Sequence, residues 1–308
     1  MKIIKIQNLS PQPQQPLSHK PLIACWGFFD GIHQGHQALI NKTLSLAKAH
    51  NYESCFITFN EKPQNVINNS PNELLLSKED KINIITNYNF NYYLEIQFTT
   101  TLATVLPQQF IAWLTALNIQ AVVVSPNIKF GFKGQGTIST LQQSSLQINV
   151  CHDIMNDKNI KISSNYIKQL LVAKDITSVN ECLWPYMYTI TGKVVHGIKE
   201  GRTIGFPTAN LELVVNYALP ALATYITMTA VDNKWYQSMT VIMMRNNKPL
   251  VETYLLNFNQ DIYDKIIKVK FLTLLRDNLQ FSNLDALKLQ LKLDLKNTIQ
   301  YFTKNSNL

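Results

Sequence analysis

Up to about residue 173, short apolar runs alternate with stretches of helical spacing; past Trp184-Pro185 the helical stretches give way to β-rich runs. The first apolar run, KPLIACW (20–26), has the length of a buried strand and ends at Gly27. After the turn FFDGIHQG, the segment HQALINKTLSLAKAH sets Ala38, Leu39, Leu44, Leu46 and Ala47 at helical spacing. ESCFITF (53–59) reads as a second strand, residues 77–87 and PQQFIAWLTAL (107–117) as helices, and QAVVV (120–124) as a third strand. Strands alternating with helices predict a parallel α/β sheet. One more short helix is expected over 163–173, capped by Ser163 or Ser164. The later runs 186–196, 223–230, 235–243 and 250–258 lack intervening helices and predict an antiparallel barrel or sandwich. Leu284, Leu287, Leu291 and Leu295, spaced by three and four, close it with an amphipathic helix over 282–302. Two domains are expected, 1–183 and 184–308, and 308 residues are enough for both.

Composition narrows the class. With 46% hydrophobic residues, 10 Gly and 12 Pro, the chain has material for cores and is neither disordered nor collagen-like. Lys+Arg 28 against Asp+Glu 20 gives a net charge of +8, which points to anionic partners. Residues 1–184 hold 14 Lys and no Arg, and the only three arginines are Arg202, Arg245 and Arg276. Nucleic-acid binders lean on bidentate arginine, so the balance favours small phosphorylated ligands and no nucleic-acid partner. Cys25, Cys55, Cys151 and Cys182 lie far apart and form no CxxC pair, as expected of reduced core cysteines. The opening MKIIKI is too short for a signal peptide, and no apolar run is long enough to span a membrane, so a cytoplasmic protein with no membrane partner is expected.

Three motifs carry chemistry. Gly27-Phe28-Phe29-Asp30-Gly31-Ile32-His33-Gln34-Gly35-His36 stands between a strand and a helix, where free amides and the helix dipole suit a phosphate. His33 and His36 can both face a triphosphate there, and Gly35 allows close approach of a flat base. The other readings are two exposed histidines after a turn, or a metal pair lacking a third ligand. Ile162-Ser163-Ser164-Asn165-Tyr166-Ile167-Lys168 reads either as a plain helix start or as hydroxyls, amides and Lys168 placed on the same triphosphate. Gly201-Arg202-Thr203-Ile204-Gly205-Phe206-Pro207-Thr208-Ala209-Asn210 crowds special residues into ten positions, and Thr208 and Asn210 are hard oxygen donors suited to Mg²⁺ beside a nucleotide.

Together the motifs resemble the prokaryotic bifunctional riboflavin kinase/FMN adenylyltransferase family over about Ile23 to Asp294. HxGH with ISSxxI resembles its nucleotidylyltransferase module, and GRTIGFPTANL is its most specific signature. Val194-Val195-His196-Gly197, Val251-Glu252, Asp261-Ile262-Tyr263, Leu275-Arg276 and Phe281-Ser282 match as well. The resemblance implies a Rossmann-like adenylyltransferase domain that makes FAD from FMN, and a barrel-like kinase domain that makes FMN from riboflavin. Both would use ATP with Mg²⁺, in a monomer or weak homo-oligomer. It implies that His33 and His36 stabilise adenylyl transfer, and that Gly27, Asp30, Gly35, Ser163, Ser164 and Lys168 bind the nucleotide. Asn127 would contact flavin. In the kinase module, Gly201, Arg202, Gly205 and Pro207 would bind nucleotide and Thr208 and Asn210 the metal. Glu252 would be the base, and Arg276 would contact flavin or product. The chain departs from the pattern at Phe28 (usually Asn), Lys62 (His), Ser125-Pro126 (the usual Gly is Ser125), Lys168 (Arg) and Ala223-Thr224-Tyr225 (Gly-Val-Tyr). No NIGxxPT stretch is recognisable between Tyr225 and Glu252, an interval that reads as shortened.

Overall fold

The computed structural model describes the chain apart from residues 8, 10–14, 69–72, 198–204 and 306–308. Packing divides it into two compact units, one of residues 1–72 and 78–163, the other of 73–77 and 164–308.

The first unit is a parallel six-stranded sheet of β1 (Lys2–Ile6), β2 (Leu22–Trp26), β3 (Glu53–Phe59), β4 (Tyr92–Ile96), β5 (Ile119–Val124) and β6 (Gln147–Val150). The strand order is β1-β4-β3-β2-β5-β6. Its helices are α1 (Gln34–His50), α2 (Pro63–Asn68), α3 (Lys78–Asn87), α4 (Pro107–Ala116) and α5 (Ile138–Gln142). A parallel strand buried on both faces has no polar side to show, hence the unbroken LIACW and AVVV runs. Leu22, Ala24, Trp26, Val122 and Val124 share a core with Phe110, Trp113 and Leu114 of α4. From β2 the chain builds outward through β3 and β4, then returns to place β5 on the other side of β2. That reversal opens a crevice at the carboxyl ends of β2 and β5, where sheets of this kind bind ligands.

The second unit contains α6 (Ser164–Val172), α7 (Ile176–Leu183), β7 (Thr189–Val195), β8 (Ala209–Leu213), β9 (Ala223–Val231), β10 (Lys234–Arg245), β11 (Lys248–Leu255), β12 (Ile266–Asp277) and α8 (Leu284–Lys304). The strands close into an antiparallel barrel, β10-β11-β8-β7-β12-β9. Asn180 of α7 donates to Phe271 O and accepts from Tyr188 N, and Ala221 N donates to Leu171 O. These bonds tie α6 and α7 to the barrel, so the packing division falls at 163/164, ahead of the 183/184 boundary anticipated above. β9, β10 and β11 follow one another through Asp232-Asn233 and Asn246-Asn247, four residues with positive φ that suit two-residue hairpins. The stretch between Tyr225 and Glu252 is thus continuous hairpin, with no room for a separate loop.

Inside the barrel, Thr227, Ser238, Thr229, Thr253 and Thr240 are fully buried. Their hydroxyls form a closed ring with neighbours 2.7–3.3 Å apart, each bonded to two others. Outside, Asp294 of α8, 1% exposed, receives Arg276 Nε and Nη2 at 2.7–3.0 Å, and Gln290 adds a further bond at 2.8 Å. Phe302 packs near the other end of α8 against Ile226 and Leu272.

Candidate active sites

The crevice of the first unit is lined by the turn that follows β2. Phe29 (φ 56°), Gly31 (φ 85°) and Ile32 (φ 44°) all adopt left-handed backbone there. A buried β-branched residue in that region is strained and persists only where its surroundings fix it. The fixing groups are visible: Phe28 O accepts Lys81 Nζ at 2.6 Å and Thr58 Oγ1 at 3.3 Å, and Gln37 Nε2 donates to Ile32 O at 2.9 Å. Lys81 also lies 4.2 Å from the Phe28 ring centre, so the residue that replaces the usual Asn is held by its carbonyl and its ring together. Burial pulls the Lys81 ammonium down to about 8 despite the nearby Asp30 and Glu95 carboxylates.

The turn delivers His33 to the start of α1 and His36 one turn later. Their rings stack at 3.7 Å between centres, and Phe29 meets His36 edge-on at 5.1 Å. Both Nδ1 atoms are buried and have no hydrogen-bond partner among the described residues. A Cβ on Gly35 would stand 3.2 Å from the His33 ring and 3.5 Å from Ile162 O, so the room at Gly35 serves this packing. Ser163 follows directly on Ile162. Asp30 is buried beneath the turn, and Gly27 N continues the sheet by donating to Ile57 O at 3.1 Å. At the end of β5, Ile128 N donates to Ser125 O and closes a turn that suits Pro126 at its second position and leaves Asn127 exposed. Ser164 and Lys168 belong to α6 of the second unit, where Lys168 Nζ donates to Glu73 O.

Burial lowers His33 to about 4, helped by the Lys161 charge, and it lowers His36 well below the ordinary histidine value, helped by His33 and Lys81. Both are therefore neutral near pH 7. In the unfolded chain each binds a proton near pH 6.5, so below that pH the unfolded state gains protons that the folded one refuses. Stability supplied by the pair is full above pH 6.5 and falls by about 1.4 kcal/mol per pH unit for each histidine. For His33 the loss continues down to about pH 4. Thermal unfolding followed from pH 7.5 to 5 is expected to show this decline, and the double variant H33N/H36N is expected to flatten it. An equally steep decline in the double variant would assign the acid sensitivity elsewhere.

The second site is a cavity of about 500 Å³ between the outer face of the barrel and α8. Thr208 Oγ1 donates to Glu252 Oε2 at 3.1 Å, and Asn210 pairs with Glu252 across β8 and β11. Gly197 backs this pair: a Cβ there would stand 2.3 Å from Asn210 Nδ2, so only glycine lets the amide lie in place. Gly205 has φ 83°, Phe206 packs on Tyr254 at 5.3 Å between ring centres, and Pro207 is exposed. Arg276 borders the cavity with its guanidinium held by Asp294 and by Asp277 O. Gly201 and Arg202 lie outside the described residues.

Two features escaped the reading of motifs. Lys81 sits four residues before the buried Ile85 on α3, so its place in the core-facing stripe was the available signal. Met239, Val241 and Met243, which line the cavity, look like ordinary strand residues because their role comes from the closure of the barrel. Among the described residues, no group of three or more His, Cys, Asp or Glu could hold a metal, and no helix is long and apolar enough to cross a membrane.

Comparison with known proteins assigns each half of the chain to a family. Residues 15–166 match the FAD synthetase family and residues 184–302 the riboflavin kinase family. The chain is 31% identical over 289 residues to the bifunctional riboflavin kinase/FMN adenylyltransferase of Bacillus subtilis, covering 90% of this chain and 91% of that one. It is 28% identical to the Escherichia coli protein of the same description, covering 98% of each. Among solved structures, one described as a macrolide-efflux protein from Streptococcus pneumoniae superposes with a TM-score of 0.86 at 26% identity, covering 97% of this chain and 99% of that one. With a parallel sheet carrying the histidine pair and a closed barrel carrying Thr208, Asn210 and Glu252, the chain belongs to the bifunctional riboflavin kinase/FMN adenylyltransferase family.

Proposed function

We propose that this chain phosphorylates riboflavin to FMN in residues 184–308 and adenylylates FMN to FAD in residues 1–183, using ATP for both. The observation that carries the reading is that one chain holds two separately built sites: neutral stacked histidines at a sheet crevice, and a carboxylate beside hydroxyl and amide oxygens in a barrel cavity.

In adenylyl transfer, a phosphate oxygen of FMN attacks the α-phosphorus of ATP and pyrophosphate leaves. His33 and His36 are neutral, and their Nδ1 atoms have no hydrogen-bond partner among the described residues, so these nitrogens have no competing bond to break. A polyanion beside them favours their protonated forms, so positive charge gathers as negative charge develops on the phosphorus. Gly27 and Asp30 shape the turn, Gly35 lets the ring of His33 settle, and Ser163 adds a hydroxyl close by. Asn127, exposed at the end of β5, is available to the flavin.

In the kinase reaction, Glu252 accepts the proton of the 5′-hydroxyl as its oxygen attacks the γ-phosphorus and ADP leaves. Thr208 and Asn210 offer neutral hard oxygens, which fit Mg²⁺ because that ion takes few protein ligands and completes its shell with phosphate and water. When bound, it neutralises phosphate charge. Gly205, with its left-handed backbone, and the exposed Pro207 are assigned to the nucleotide loop, and Arg276, fixed at the cavity border by Asp294 and Asp277 O, to contact with flavin or product.

Purified chain given riboflavin, ATP and Mg²⁺ is expected to yield FMN and then FAD on chromatography; no conversion of either flavin sinks the reading. A second reading, adenylyl transfer alone, draws on the plain hairpins that occupy the interval from Tyr225 to Glu252. FMN supplied as the sole flavin separates the two.

A further inference from the structure

One cross-strand row of the barrel runs Arg276, Thr224, Val241, Glu252, Asn210, each residue paired with the next on the neighbouring strand. Side chains paired in this way share a face, and all five border the cavity. Neighbouring strands lie about 4.8 Å apart, so Thr224 stands about 10 Å from Glu252 with Val241 between them. Thr224 is 5% exposed, and its hydroxyl is buried with no hydrogen-bond partner among the described residues. The same barrel pairs five interior hydroxyls twice over, so the bare one at the cavity wall stands apart. Leaving a buried hydroxyl unpaired is destabilising in the empty protein, and a molecule that enters the cavity and bonds to it removes that cost.

The direction of transfer says which molecule. Resting on the kinase reading above, the phosphates lie at Thr208 and Asn210 and the attacking hydroxyl at Glu252. Attacking and leaving oxygens stand roughly in line on opposite sides of the phosphorus. The nucleotide therefore occupies the Asn210 end of the row, and the body of the flavin continues past Val241 toward Thr224. A span of about 10 Å from the attacking hydroxyl passes beyond the five-carbon side chain and reaches the ring system. We propose that the Thr224 hydroxyl hydrogen-bonds a polar atom at the ring end of riboflavin, a specificity contact that this chain has where the family pattern places valine.

The test uses the full-length chain and the variants Thr224→Val and Thr224→Ser. Riboflavin binding is read by quenching of flavin fluorescence, stability by thermal unfolding, and the kinase reaction by KM and kcat. Thr224→Val, close in shape, is expected to weaken riboflavin binding and raise its KM by roughly tenfold with kcat little changed. The same variant is expected to unfold at a higher temperature without flavin, because it removes an unpaired buried hydroxyl. Thr224→Ser is expected to bind as the parent does. A merely structural role would move stability and leave the affinity alone. Unchanged affinity in Thr224→Val overturns the Thr224 contact while the kinase reading stands, whereas a parent chain that binds no riboflavin overturns both.

Discussion

Replacing His36 by alanine is expected to abolish FAD formation from FMN while leaving riboflavin phosphorylation at its parent rate. The reason lies in how the two histidines are kept. His36 stacks on His33 at 3.7 Å and meets Phe29 edge-on at 5.1 Å, and neither its Nδ1 nor that of His33 has a hydrogen-bond partner among the described residues. Removing one preorganised group that meets developing charge costs about 100- to 1000-fold in rate. Alanine also leaves a hole beside His33, so His36→Asn serves as the companion: it keeps a polar side chain and must still lose most of the activity. The two-site reading gives the barrel an ATP site of its own, so kinase turnover of the same preparation reports whether the protein is intact. Loss of both activities in a folded variant would contradict the assignment of separate sites.

How much of this was legible in the sequence differs between the halves. β2, β3 and β5 announced themselves because strands buried on both faces must be apolar throughout, as LIACW and AVVV are. β1 and β6 gave no such signal: Lys2–Ile6 lies at the sheet edge with mostly exposed side chains, and QINV is half-covered. β4 is hidden for another reason, since Glu95 interrupts its apolar run and is accommodated by an ion pair with Lys78 at 2.6 Å. Its partner comes from a helix 17 residues earlier, a pairing that local pattern cannot show. In the second half, β12 (IIKVKFLTLLRD) is absent from the runs read above, and the interval between Tyr225 and Glu252 reads only as shortened. The structure fills that interval with two long hairpins turned by Asp232-Asn233 and Asn246-Asn247. The sites were easier. His33, His36, Thr208, Asn210 and Glu252 stand in compact motifs, and the fold brings each set together within its own unit. Thr224 and Lys81 stayed hidden because their significance comes from barrel register and helix facing.

Replacing Glu252 by glutamine is expected to lower FMN formation from riboflavin by roughly 100- to 10 000-fold, the range for loss of a positioned general base. Glutamine keeps the size of the side chain and an oxygen that can still accept from Thr208 Oγ1, so the 3.1 Å bond and the strand pairing with Asn210 survive. What disappears is the ability to take a proton. Riboflavin affinity and thermal stability should therefore stay near the parent values while kcat falls, the signature of a contact that matters only in the transition state. Conversion of supplied FMN to FAD should proceed unhindered, the mirror image of His36→Ala. The residual rate should climb with pH, as hydroxide replaces the missing base and the acceptor hydroxyl ionises on its own. A residual rate that is flat in pH, with the loss appearing in KM, would make Glu252 a positioning residue for Thr208. The base would then have to be sought elsewhere along the cavity wall.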